Sequence, residues 1–343
     1  MTQARETSAQ SIRNFTWDTL ARPIIALAPM AGYTDTAFRK VVRSLSPNTV
    51  LFTEFTSTDG LAYQSEKSFE QISFDESEHP IIVQIFGKTT RHFSNGAAMI
   101  QDLGADGIDI NMGCPTKNAR KCMYGSALLT EPDIAFDIVR KTRAALTIPL
   151  SVKTRIGQER YDYERMESFI LTLEDLGVNN ITLHGRTGNQ KYTGMANYEA
   201  LHRLKERMSI SLIGSGDIVD RETFTEKLGT LDGLMIGRGA VGNPWIFQEL
   251  TGGSGKPAEF VKRVPVILQH AVNAYEYRGN RGLIQFRKHL SAYVKGLQNS
   301  KELRIKLMRA STLEEIKDIL ETARDFHQQI VAIPGNEPEG INQ

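Results

Sequence analysis

From residue 24 onward, short runs rich in Ile, Val, Leu and Thr alternate with longer segments whose apolar residues recur at helical spacing. The runs are bounded by Gly, Pro, Asn or Asp. They predict strands over 24–30, 50–55, 81–87, 107–113, 149–156, 180–186, 210–216 and 233–239. Between them, segments such as 133–146, with Ile134, Ile138 and Val139 in one stripe, and 163–176 predict helices that begin near Asp or Pro. Eight strand–helix units in succession imply a parallel sheet, and eight is the number that closes a (β/α)8 barrel. A doubly wound open sheet would share that pattern. The placement of unusual residues favours the barrel. The pieces MAGYTD, QIFGK, NMGCP, KTRIG, HGRTG, GSGD and GRGAVG follow the C-terminal ends of nearly every strand, and a barrel gathers those ends at one mouth.

After residue 250 the pattern changes. Residues 251–257 read TGGSGKP, a linker composition. Beyond it, 260–277, 283–297 and 313–326 predict amphipathic helices with no strand between them. The expected organisation is an α/β TIM-barrel domain over 1–250, a small all-helical domain over 258–333, and a polar tail over 334–343 expected to be disordered.

Composition adds one decisive point. The 343 residues are 40% hydrophobic and 24% charged with a formal net charge of +1, an ordinary globular balance. That average hides an asymmetry. Residues 261–310 hold eleven Lys or Arg against Glu276 and Glu302, a formal +9, so the remainder carries −8. A polyanion-binding face on the helical domain is the expectation; solvated helix faces are the plain alternative. The two cysteines, Cys114 and Cys122, form neither a zinc ligand set nor a disulfide framework. Arg5 and Arg13 stand among polar residues with no apolar signal segment, and no run is long enough to span a membrane, so a cytoplasmic protein is expected.

Candidate chemistry clusters at the strand ends. In 108–115, IDINMGCP, a buried strand enters a turn that presents the Cys114 thiol, and Pro115 biases Cys114 toward extended backbone. Asn111 offers both donors and an acceptor to the edge of a planar ring. A small buried hydrophobe is the commoner fate of a free cysteine. Lys153 and Arg155 are two residues apart and share one side of their strand, where they would meet an anion such as a reduced flavin ring or a phosphate. His184 and Arg186, in HGRT, end the next strand. The glycine-rich pieces 214–217 and 236–240 end the last two strands, the usual phosphate site of barrels, and Arg238 can add a charged contact. No P-loop and no dinucleotide fingerprint occurs.

Taken in order, the motifs APMAGYTD, VQIFG, DINMGCP, GSALL, VKTRIG, HGRT, GDI and MIGRGAVGNPWIF resemble the tRNA-dihydrouridine synthase family. GNPWIF and FRKHLSAY look most like its bacterial B branch. The resemblance implies FMN as prosthetic group, NADPH as reductant and tRNA as partner, with no membrane and no metal. A monomer is expected, although no local motif encodes the oligomeric state. It implies that Pro29 and Met30 line the flavin, that Gln84, Lys153 and His184 contact it, that Gly216, Gly237 and Arg238 hold its phosphate, and that Ser215 and Asp217 belong to the cofactor site. Asn111 and Arg155 would orient the uracil, with Arg186, Arg287 and Lys288 as further RNA contacts. Reduced flavin would give a hydride from N5 to uracil C6, and Cys114 a proton to C5. A thiol of ordinary acidity, pKa about 8.5, stays mostly protonated at neutral pH and suits that task, whereas a carboxylate would be ionised. Extruding the base costs roughly a few kcal/mol, which phosphate contacts on the basic domain can offset. Two departures stand out: Ser215 occupies a position where many family members have Asn, and Cys122 lies where the family usually has other residues. Cys122 is read as a loop or packing residue. A dihydroorotate-dehydrogenase-like enzyme and a non-catalytic RNA-binding barrel are the competing readings.

Overall fold

Strand β1 (Ile24–Leu27) pairs in parallel with β8 (Gly233–Ile236), the last of eight strands that run around a barrel. The others are β2 (Leu51–Phe52), β3 (Ile81–Phe86), β4 (Gly107–Met112), β5 (Leu150–Arg155), β6 (Asn180–His184) and β7 (Ser211–Ser215). This is a computed structural model that describes residues 15–331. Every pairing is parallel and follows chain order from β2 to β8. The ring closes where the Leu27 N–H donates to the Val50 carbonyl at 2.9 Å and the Val50 N–H to Ile25 at 2.9 Å. The doubly wound alternative is thereby removed.

The strands stop short of their expected ends. Residues 28–30, 113, 156, 185–186, 216 and 237–239 lie beyond the ladder. Glycine and polar residues there release the chain from the sheet into the loops of the mouth. The expected strand 50–55 is reduced to β2, and a two-residue piece just beyond it, Thr56–Ser57, also pairs with β3.

Helices cover the outside: α1 (Thr36–Leu45), α2 (Thr90–Asp102), α3 (Pro132–Ala144), α4 (Tyr163–Asp175), α5 (Tyr198–Lys205), α6 (Arg221–Leu228) and α7 (Trp245–Leu250). Asp35, Asp162, Asn197 and Asp220 accept backbone N–H groups at the starts of α1, α4, α5 and α6, and Pro132 opens α3. Strand residues alternate between two environments. Ile108, Ile110, Leu150, Val152, Ile181 and Leu183 face the helices in the main core, whereas Ala26, Phe52, Ile82, Ile213 and Met235 share a second cluster with Phe15 and Trp17.

Three helices follow: α8 (Phe260–Tyr293), α9 (Ser300–Arg309) and α10 (Leu313–Val331). Helix α8 breaks at Arg278 and Gly279, between the two helices expected from sequence. Its second part ends at Tyr293 rather than 297. Helix α9 was not anticipated, because its two buried residues, Leu303 and Leu307, are outnumbered by charge. These helices share an apolar cluster with Ala37 of α1 and Trp245 of α7. Gly242 (φ +74°) marks how close the two parts lie: a Cβ there would sit 2.6 Å from the Ala292 Cβ. His270 and His289 lie in the same seam, their rings 4.7 Å apart and packed on Phe38 and Phe286. Among the described residues no helix is long and apolar enough to cross a membrane. The expected tail over 334–343 and the N-terminal Arg5 and Arg13 lie outside the described residues.

Candidate active site

A cavity of about 1290 Å3 opens at the C-terminal ends of the strands. It is lined by twelve of the residues singled out in the sequence: Pro29, Met30, Asn111, Cys114, Lys153, Arg155, His184, Ser215, Gly216, Asp217, Gly237 and Arg238.

The wall from β4 and β5 is built of side chains. Asn111, two residues before the turn, points its Oδ1 back at the turn and accepts the N–H groups of Gly113 and Cys114, each at 3.0 Å. The Cys114 carbonyl accepts from the N–H and the hydroxyl of Ser126, both at 3.1 Å. Held from both sides, the half-buried thiol of Cys114 faces the cavity near the Thr116 hydroxyl, 3.6 Å away. Arg155 donates from Nε to the Gly113 carbonyl at 2.7 Å and from Nη1 to the carbonyls of Thr187 and Lys191 at 2.9 and 2.8 Å. Its Nη2 has no protein partner among the described residues and remains available to a ligand. Burial, reinforced by Arg155 and opposed by Asp109, pushes the Lys153 ammonium down to about 8, so it is charged at neutral pH.

The wall from β7 and β8 is built of backbone. Gly216 has φ +124°, and a Cβ there would lie 2.8 Å from the Ala196 Cβ. Only glycine fits this close, positive-φ turn at the edge of the cavity. Burial, with Lys153, Arg155, Arg186 and Arg238 adding to it, drives His184 down to about 2, so its imidazole is neutral. Among the described residues, seven cations line the cavity (Lys117, Lys153, Arg155, Lys191, Arg238, Lys256 and Lys295) against one acid, Asp217. Such a site selects anionic ligands. Among the described residues, no three potential metal-ligating side chains cluster.

The family model "Dihydrouridine synthase (Dus)" matches residues 26–330 of the chain. The chain belongs to the dihydrouridine synthase family. It is 34% identical over 305 residues to the "Probable tRNA-dihydrouridine synthase 1" of Synechocystis sp., covering 86% of this chain and 85% of that protein. A "Probable tRNA-dihydrouridine synthase" of Staphylococcus aureus is 33% identical over 89% of this chain and 94% of its own length. The "tRNA-dihydrouridine synthase B" of Pasteurella multocida is 34% identical, covering 80% of this chain and 84% of its own. Among solved structures, a 2-naphthoyl-CoA reductase complex superimposes with a TM-score of 0.52 at 10% identity, covering 66% of this chain and 49% of its own, a likeness of fold alone.

Three residues expected at the site of this family member, Gln84, Arg186 and Arg287, are engaged by other protein groups, and a fourth, Lys288, lies beside its mouth. Gln84 is fully buried behind Asn111, its amide engaged by Asp109 and Asn111, and it does not line the cavity. Arg186 is also buried. It pairs with both Asp217 oxygens at 2.6 Å and holds the carbonyls of Thr193 and Gly194, so it braces the loop instead of meeting RNA. Arg287 donates to the Ala310 carbonyl at 2.7 Å and ties α8 to the end of α9. Lys288 is exposed beside the mouth, its ammonium 3.2 Å from the Gly32 carbonyl and 5.1 Å from the centre of the Tyr33 ring. Cys122 is exposed at the end of the short helix Lys117–Lys121, away from the cavity lining.

Sequence reading missed Tyr192. Its exposed ring lies at the rim between the guanidiniums of Arg155 and Arg238, whose carbons stand 5.7 and 4.9 Å from its centre. Lys191, Lys256 and Lys295 were missed as cavity residues too. They sit in loops and turns without a motif, and only the fold brings them together.

Proposed function

We propose that the chain reduces uridines in tRNA to 5,6-dihydrouridine, using FMN as prosthetic group and NADPH as reductant. The names of the relatives above support the substrate and the reaction. The observation that carries the reading is the pairing of a thiol-bearing wall and a bare-backbone wall around one strongly cationic cavity. Its volume exceeds the roughly 300–1,000 Å3 of a site for one drug-sized ligand, as a flavin and a base together require.

The donor set fits FMN. The turns at Ser215–Asp217 and Gly237–Gly239 present backbone to a phosphate, with the Arg238 guanidinium beside them, and Lys153 supplies positive charge to the ring. Bound and reduced, FMN supplies the hydride for uracil C6. The protein does the rest. Cys114, fixed by Asn111 and Ser126, donates the proton to C5 from the other side of the base. The free Nη2 of Arg155 orients the uracil, and Tyr192 offers the extruded base an aromatic face. Neutral His184 fills the floor without adding charge. Exposed Lys288, with Arg281, Lys295, Lys301, Arg304 and Arg309, gives the RNA backbone a cationic approach.

The purified protein should be yellow and, with NADPH, should restore dihydrouridine to tRNA from a strain lacking it. A colourless protein that takes up no FMN overturns the reading. Equal turnover with NADH would remove NADPH from it.

A further inference from the structure

Four side chains on three neighbouring strands form one hydrogen-bonded line inside the barrel. Gln84 and Asp109 are register partners across β3 and β4, and Asp109 and Ser151 across β4 and β5. Asn111 lies two residues beyond Asp109, on the same side of β4. Asp109 is wholly buried. Its Oδ1 accepts the Ser151 hydroxyl at 2.6 Å and its Oδ2 accepts Gln84 Nε2 at 2.7 Å. Gln84 Oε1 accepts from Asn111 Nδ2 at 2.8 Å. The line ends where Asn111 Oδ1 accepts the N–H groups of Gly113 and Cys114.

An amide is nearly symmetric in shape, but one end only donates and the other only accepts. The sense of two amides in series is therefore set at the ends of the line. At the cavity end, two backbone N–H groups can only donate. At the other end, an ionised carboxylate can only accept. Both ends demand the same sense, with the Gln84 nitrogen toward Asp109 and the Asn111 oxygen toward Cys114. A reversed line would set Asn111 Nδ2 against two N–H donors and open the turn. Burial raises Asp109 to about 6, opposed by Ser151, Gln84 and the charge on Lys153, so it is mostly ionised at neutral pH.

We propose that Asp109 is a positioning residue for Cys114: its acceptor-only carboxylate fixes the sense of the Gln84 and Asn111 amides and so holds the Gly113–Cys114 turn. The idea rests on Cys114 as proton donor, and its test separates the two. In the holoenzyme, the rate at which iodoacetamide alkylates Cys114, relative to Cys122 in the same molecule, reports the turn. The kcat for tRNA reports its use. Asp109→Asn, which can donate, should change the alkylation ratio about fivefold, the scale of one net hydrogen bond. It should lower kcat roughly tenfold or more through misplacement of the donor, with KM for tRNA unchanged. Ser151→Ala removes a hydrogen bond that holds the Asp109 pKa down, so it is read at pH 8, where the carboxylate stays ionised, and there should leave both readings near wild type. If Asp109→Asn does not fold, Gln84→Met breaks the middle of the line at similar shape and should shift the ratio alike. A wild-type ratio in either folded variant overturns the proposal, as does an equal shift in Ser151→Ala. Should Cys114→Ala stay active, the donor assignment fails, while the ratio still decides whether the line holds the turn.

Discussion

Around the barrel axis, the inward-facing residues fall into two sectors. On β4, β5 and β6 they include Asp109, Asn111, Ser151, Lys153, Asn180, Thr182 and His184. On β7, β8, β1, β2 and the start of β3 they include Ile213, Met235, Ala26, Phe52 and Ile82. The polar sector tolerates burial because its members bond one another and polar neighbours on the flanking strands: Ser151 to Asp109, Asn111 to Gln84 of β3, and Ser211 of β7 to Asn180 at 2.8 Å. It can therefore deliver a thiol and two cations at fixed angles. Within its strands the apolar sector carries no ionisable side chain; Asp217 and Arg238 enter only from the turns after β7 and β8. It packs, and at the ends of β7 and β8 it leaves bare peptide groups for a ligand. On the function proposed above, chemistry would come from one half of the barrel, and grip on an anionic cofactor from the other.

Substitutions can break that division. The largest effect is expected in the polar sector: Cys114→Ala should lower kcat by roughly 10²- to 10⁴-fold, the range of general acid catalysis, with flavin content and tRNA affinity kept. Cys122→Ala should remain active, and equal losses in the two variants would undo the assignment. On the opposite side, Gly216→Val places a Cβ against Ala196 in a strained backbone region, at a cost of about 1–3 kcal/mol. Flavin should be held at least tenfold more weakly in a fluorescence titration; unchanged affinity would move the phosphate site away from this turn. Lys288→Ala, outside both sectors, should weaken tRNA binding a few-fold and flatten the log–log salt slope by about 1. The smallest effect concerns stability alone. Burial holds His270 neutral and its pKa well below the ordinary value, so as pH falls below about 6.5 the unfolded chain takes a proton that the native state refuses. Its contribution to stability is present above that pH and is lost at up to about 1.4 kcal/mol per unit below it. Urea unfolding at pH 7 and 5.5 should show His270→Gln with a shallower acid loss than wild type.

Much of the fold was legible because barrel strands, covered on both sides, read as apolar runs, and glycine marks their ends. Closure was less so. The hydrogen bonds that join β1 to Val50 leave no signature in either segment. In the site, Cys114, Lys153 and the glycine turns could be read from type and position. Gln84, Arg186 and Arg287 could not, since a motif names a donor but not the acceptor it has already found. Arg186 reads as a cation at the mouth until Asp217 is seen to hold it. Tyr192 gives the reverse case: a loop tyrosine with no pattern around it is held at the rim because Arg155 and Arg186 grip the carbonyls on either side of it, at Lys191 and Thr193.

The seam around Gly242, Ala37 and Trp245 bears on how such an enzyme can be taken apart. Cutting the chain between α7 and α8 would not release a self-sufficient catalytic half, because water would reach a surface that both pieces now hide. A truncated barrel should therefore aggregate, and RNA preference would have to diversify through residues on the outer faces of the helices, with their inner faces left unchanged.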